Sequence, residues 1–233
     1  MGIALTKRRR RRNSGASVSQ EDYLKAIWKM LQEEQEPISV RLAERLGVTP
    51  PAVTNALKRL SRNGMVKLGQ RGRIRLTAKG RDLGQHLVMR HRLAEKLLTD
   101  VLGMAWTRVH VEAEKLEHAI SPEVEALLLK YFGRNSTCPH GNPLAGDSAR
   151  ARRAAKVRRL SDVEIGNRVE IRFVSEEGEE FLAYLDTQRL RPGTRMLVEH
   201  KDYDDTLHLA IAGRTVHLGK SATDRIWVAP ARK

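Results

Sequence analysis

The chain has 233 residues, long enough for one large or two to three small domains, with 43 Lys and Arg against 28 Asp and Glu and a net charge of +15. Its single cysteine, Cys138, excludes an intramolecular disulfide framework, and no apolar run approaches membrane-spanning length, so a soluble, cytoplasmic protein is expected. Lys7–Arg12 and Arg150–Arg159 each carry six cations and no acid; without those twelve the chain is only +3, a pattern that suits contact with a polyanion such as nucleic acid.

Residues 1–17 form a basic arm with nothing to bury, expected to be disordered. A helix opens at Ser19 with apolar positions Tyr23, Leu24, Ile27, Trp28 and Leu31 at helical spacing. A second helix runs from Val40 to Leu46 and stops at Gly47. Val48-Thr49-Pro50 makes a turn, and Pro51 suits the first position of a third helix. That helix turns Val53, Ala56, Leu57 and Leu60 inward. Strands Met65–Leu68 and Arg73–Leu76 flank the turn Gly69–Gly72. Two helices across a tight turn, then a hairpin with arginines at its tip, read as a winged helix-turn-helix over residues 18–83. Thr49, Pro51, Thr54 and Asn55 are the candidates for base edges; Lys58, Arg59, Lys67, Arg71 and Arg73 are those for phosphates.

Thr77 can cap a long helix reaching Leu102 and stopped by Gly103. His91 occupies its inward seam with Leu87, Ala94, Leu98 and Val101, and Glu95 is one turn on. On the following helix His110, Glu114, Glu117 and His118 fall within an arc of roughly 100°, beside the seam Val109, Ala113, Leu116 and Ile120. Acids and imidazoles on a half-buried margin need a cationic partner, and a divalent metal is the simplest. A salt-bridge network with Arg92, Lys96 and Lys115 is the plainer alternative. Ser121-Pro122-Glu123 starts a further helix ending near Phe132, and residues 84–143 read as a helical dimerisation and metal-binding domain. Residues 144–159 form a basic Ala/Arg linker. In 160–230, alternating stretches such as Val169–Phe173, Met196–Val198, Leu207–Ile211 and Thr215–Leu218 fit a small β-barrel. His86, His200, His208 and His217 are assigned no role.

This order of parts resembles the diphtheria toxin repressor family of metal-dependent transcription regulators, from Ser19 to Val228. The likeness is dense in LAERLGVTPPAVTNALKRL, VMRHRLAEKLLTDVLG, VHVEAEKLEH and CPHGNPLAG. It implies a mainly α protein with a small Src-homology-like β-barrel at its C-terminus. It also implies a homodimer on palindromic operator DNA, most simply a repressor of metal-uptake genes, with no organic cofactor. The family's primary metal site matches Asp22, Glu114, Glu117 and His118, and its ancillary site matches His91, Glu95 and His110, with Glu177 and Glu180 as barrel ligands. Cys138 and His140 fall in the family's pre-linker turn and are expected to be structural.

Iron-responsive members place a methionine and a cysteine where this chain has Asp22 and Glu114, the pattern of the manganese regulators. Lys25 stands where the short manganese regulators have a second acid, so two separate sites are expected and not a binuclear one. Carboxylates make a harder site, which favours Mn²⁺; Fe²⁺ is the alternative, and Zn²⁺, Co²⁺, Ni²⁺ or Cd²⁺ can substitute in vitro. A metalloenzyme lacks support, since no HExxH pair, nucleophile elbow or phosphate-cradling loop is present. The remaining alternative is a winged-helix regulator not gated by metal.

Overall fold

The computed structural model describes residues 20–33, 35–146, 148–154, 156–176 and 178–231; the basic arm 1–17 and Glu177 fall outside it. Helix α1 (Gln20–Gln32) buries Tyr23, Leu24, Ile27 and Trp28 at the expected spacing. Helix α2 (Ser39–Leu46) ends where Gly47 turns left-handed at φ 60°, and its amide bonds back to the Ala43 and Glu44 carbonyls. Pro50 and Pro51 both sit in the first turn of α3 (Pro50–Arg62), where a missing N–H costs nothing. α3 buries Val53, Leu57 and Leu60 against α1 and α2. The wing pairs β1 (Val66–Leu68) with β2 (Ile74–Leu76) antiparallel, each one residue shorter than expected, across a 3₁₀ turn at Gln70–Gly72.

Helix α4 (Ala78–Lys96) starts where Thr77 Oγ1 accepts the Gly80 amide at 3.1 Å. A Cβ at Gly80 would lie 2.0 Å from the Met65 carbonyl oxygen, so glycine is what lets α4 pack onto the wing. The expected stop at Gly103 (φ 69°) holds, but the last turn, Leu97–Val101, is a wider π-helical one. Helix α5 (Val109–Leu116) tightens into a 3₁₀ turn at Glu117–Ala119. Helix α6 (Pro122–Phe132) follows, capped by Ser121.

The stretch read as linker contains a helix, α7 (Ser148–Ala154), in keeping with the strong helix preference of Ala and Arg. Beyond it, β3 (Arg158–Arg159), β4 (Arg168–Val174), β5 (Arg195–Lys201), β6 (Leu207–Ile211), β7 (Arg214–Leu218) and β8 (Ile226–Pro230) form an antiparallel sheet in the order β3-β8-β4-β5-β6-β7. The sheet domain is not strands alone, as the sequence reading had it. Helices α8 (Glu179–Thr187) and α9 (Lys220–Thr223) intervene, and α8 buries Phe181, Leu182 and Leu185 in the sheet's core. Trp106, from the loop before α5, is buried in that same core, and its Nε1 donates to Asp186 at 2.8 Å. One ring thus pegs the helical layer to the β domain. Among the described residues no helix is long and apolar enough to cross a membrane.

Candidate metal centres and nucleic-acid interface

α3 presents Thr54, Asn55, Lys58 and Arg59 to solvent on the face opposite its buried residues, with Thr49 and Pro51 exposed at its start. Lys67 of β1 is exposed beside them. Arg73 is exposed too, but its Nε lies 2.7 Å from Glu36, which ties the wing to the loop before α2. The side chain of Arg71 lies outside the described part. This is a helix and a wing shaped for a groove and its flanking phosphates.

Two clusters of ligand-type atoms meet where α1, α4 and α5 converge. In the first, Asp22 of α1 meets Glu117 and His118 of the 3₁₀ turn, one donor atom from each lying within 4.8 Å of the others. His118 Nε2 is 3.1 Å from Asp22 Oδ1, and its Nδ1 is 2.7 Å from Glu21 Oε2. Burial disfavours the His118 cation, yet Glu21, Glu117 and Asp22 outweigh it and raise its pKa. Glu114 stands beside this group, 3.6 Å from both His110 Nε2 and Lys25 Nζ, on the wall of an open cleft of about 510 Å³.

The second cluster is buried. His91 Nε2 lies 3.1 Å from Glu95 Oε1 and 2.9 Å from His110 Nδ1, and Glu176 completes this group from just beyond β4. Sharing Glu95 with it are Cys138 and His140, whose Nδ1 is 3.2 Å from Glu95 Oε2. Desolvation would raise the Glu95 pKa, but the charges of His140 and His91 hold it well below the usual carboxylate range. Desolvation opposes the His140 cation, and Glu95 and Cys138 overcome it, pushing the imidazole up to about 11. Burial and the neighbouring Glu95 push the Cys138 thiol up. Glu176 Oε1 accepts from Asn142 Nδ2 at 3.0 Å and from Arg92 Nε at 3.4 Å. Its Oε2 is fully buried and makes no hydrogen bond, lying 3.3 Å from Lys29 Nζ and 3.8 Å from His91 Nε2. The two imidazoles and two carboxylates of His91, Glu95, His110 and Glu176, with donor atoms within 4.8 Å of one another, are a set that fits a divalent metal.

Comparison with known proteins finds three matching family models. They are the iron dependent repressor N-terminal DNA binding domain over residues 16–72, the iron dependent repressor metal binding and dimerisation domain over 77–145, and the FeoA domain over 158–230. The iron-dependent repressor IdeR of Mycobacterium leprae is 37% identical over 158 residues, 65% of this chain and 68% of that protein. The diphtheria toxin repressor of Corynebacterium jeikeium is 32% identical over 196 residues, 75% of this chain and 82% of that protein. The chain belongs to the diphtheria toxin repressor family.

Members of this family are metal-dependent DNA-binding repressors, not enzymes. Two solved structures extend the likeness. A manganese-dependent transcriptional repressor in complex with manganese has a TM-score of 0.80 and 30% identity, over 91% of this chain and all of that one. The iron-dependent repressor IdeR of T. acidophilum has a TM-score of 0.75 and 27% identity, over 92% of this chain and 99% of that one. The family's dimerisation domain binds divalent metal, and together with the reading head it implies operator DNA and a homodimer. In keeping with a dimer, α6 leaves Val124, Leu127 and Tyr131 exposed at helical spacing, Leu127 by 59% and Tyr131 by 73%.

The expected ligand positions divide unevenly. Asp22, Glu117 and His118 come together, Glu114 adjoins them, and His91, Glu95 and His110 come together. Glu180 does not join them: it is exposed on α8, and Glu176 is the acid that reaches the cluster from the β domain. Cys138 and His140, expected to be structural, each bring a donor atom within 4.8 Å of Glu95, a further group that could hold a metal ion. The CPHG run itself was the available signal, a thiol and an imidazole one residue apart at a tight turn. A Cβ on Gly141 would lie 2.1 Å from the Arg172 carbonyl oxygen, so that turn is pressed against β4 next to Glu176. His86 pairs with Glu125, and His200, His208 and His217 adjoin across β5, β6 and β7, away from both centres.

Proposed function

We propose that the chain is a Mn²⁺-responsive repressor of metal-uptake genes that binds operator DNA as a homodimer. The observation that carries the metal choice is the donor set at the junction of head and dimerisation layer. Asp22, Glu114, Glu117 and His118 offer only carboxylate oxygen and imidazole nitrogen, with no thioether or thiolate. Such a hard set favours Mn²⁺ within what coordination number and metal availability allow.

A divalent ion supplies there a charge that carboxylates of two domains can approach together. Asp22 belongs to the first helix of the reading head, while Glu114, Glu117 and His118 belong to the dimerisation layer. Drawing them together fixes α1 against α5 and so orients α3. A dimer needs its two recognition helices ~34 Å apart to enter successive major grooves. Fixing α1 selects that spacing from a wider set, as a population shift. Glu95, Glu176, His91, His110, Cys138 and His140 offer a second, buried centre that ties the β domain to the same layer.

The test starts from DNA selected out of a random library by the Mn²⁺-loaded protein. Fluorescence anisotropy should show binding that a chelator abolishes and Mn²⁺ restores. The double change Asp22→Met with Glu114→Cys should move the response toward Fe²⁺ and softer ions. An unchanged metal ranking would place selectivity elsewhere and sink the Mn²⁺ assignment. A second reading, Fe²⁺ as effector, is favoured by one observation, the softer Cys138 thiol in the buried cluster.

A further inference from the structure

α1 sends two lysines, Lys25 and Lys29, one turn apart, into the carboxylate-rich junction, where they are 6% and 8% exposed. Lys25 Nζ lies 2.9 and 2.7 Å from the two oxygens of Glu117. It also lies 3.2 Å from His91 Nδ1 and 3.6 Å from Glu114 Oε1. Lys29 Nζ is 3.3 Å from Glu176 Oε2. The buried acids Glu117 and Glu176 thus meet the buried cations Lys25, Lys29 and Arg92, while buried Glu95 faces His140. Each buried carboxylate of the junction already has a cationic partner with no metal present.

A divalent ion held by Glu117 and Glu114 would stand within a few ångströms of the Lys25 ammonium in a poorly solvated setting, where like charges repel strongly. One of the two cations has to leave those oxygens. The ammonium is on a long flexible stem, and the open cleft beside it is lined by Lys25 itself with Asp22, Glu114 and His118. It can swing out and keep its stem packed.

We propose that Lys25 is a tethered cation that occupies Glu117 in the unloaded protein and is expelled when a divalent ion binds. The proposal rests on the reading of Asp22, Glu114, Glu117 and His118 as a metal site. Two consequences follow. Unloaded, the Lys25–Glu117 pair keeps α1 from fraying off the 3₁₀ turn, while the spacing of the two heads is still left for the metal to select. Loading is a displacement, so the concentration of free metal that triggers it is set higher than the donor set alone would give.

The experiment compares the full-length protein with Lys25→Met and Lys25→Gln, the second keeping a hydrogen-bond donor for Glu117 should the first fail to fold. In metal-free protein, hydrogen exchange of the α1 amides should quicken at least tenfold in the variants and return to the parent's rate on adding Mn²⁺. Mn²⁺ titration followed by electron paramagnetic resonance of the free ion should show the junction site at least tenfold tighter in the variants. Unchanged or weaker Mn²⁺ binding in the folded variants, or equal α1 exchange without metal, overturns the proposal while leaving a metal-binding parent's effector reading intact. A parent that binds no Mn²⁺ beside a Lys25→Gln that does would support the tethered cation and remove the effector reading.

Discussion

Glu176 and Cys138, like His140, reach the buried cluster from outside the helices that carry His91, Glu95 and His110. Replacing Cys138 by Ser removes the only soft donor there. The expected result is loss of the near-ultraviolet sulfur-to-Co²⁺ band and a roughly 10–100-fold drop in Zn²⁺ or Co²⁺ affinity, with Mn²⁺ much less affected, read by metal titration. These two residues also show where the sequence stops being informative. His91 and Glu95 could be paired because four residues of helix bring them to one face. His140 lies 45 residues from Glu95, and no periodicity joins a loop to a helix at that range. Glu176 belongs to a run with Glu177, Glu179 and Glu180, and which of these points inward depends on where β4 releases the chain, not on residue type.

The recognition helix and the exposed face of α6 carry the two predictions that belong to whole elements. Lys58→Ala should weaken specific and non-specific DNA alike and reduce the slope of log affinity against log salt by about 1. Asn55→Ala should instead cost about 1–3 kcal/mol on the preferred sequence only, measured by anisotropy against scrambled DNA. On α6, Leu127→Lys puts a charge into an apolar stripe and should shift the protein to monomer in sedimentation velocity while leaving its helical circular dichroism unchanged. Helices α2 and α3 were legible because Gly47 and the Pro50-Pro51 pair punctuate them. α8 was not: its three buried residues sit in nine, between strands, and begin with a glutamate pair that resembles a solvated loop.

At the scale of the whole molecule, the pieces are held together by a few fastenings, among them Trp106, Gly141 and Glu176. The Trp106 peg is responsive to acid. Hydrogen bonds from Arg191 and then Trp106 hold the Asp186 pKa below its ordinary 3.8. Its contribution is therefore full above pH 3.8 and is lost as the pH falls through the lower folded value. Because Asp186 is largely solvated, the loss should be under about 1 kcal/mol. Thermal melts between pH 5 and 3 should show Asp186→Asn with a shallower acid slope than the parent; an identical slope would detach the peg from this carboxylate. The same tryptophan has a second role in its main chain. Its carbonyl oxygen, 3.2 Å from His140 Nε2, can only accept, so that nitrogen keeps its hydrogen; when the imidazolium gives up a proton to a metal, the lone pair is confined to Nδ1, the atom facing Glu95. The ring that anchors the β domain thus belongs to the residue that chooses the imidazole tautomer. A protein whose β domain has come undocked would keep every ligand in its sequence and still lose the orientation of one of them.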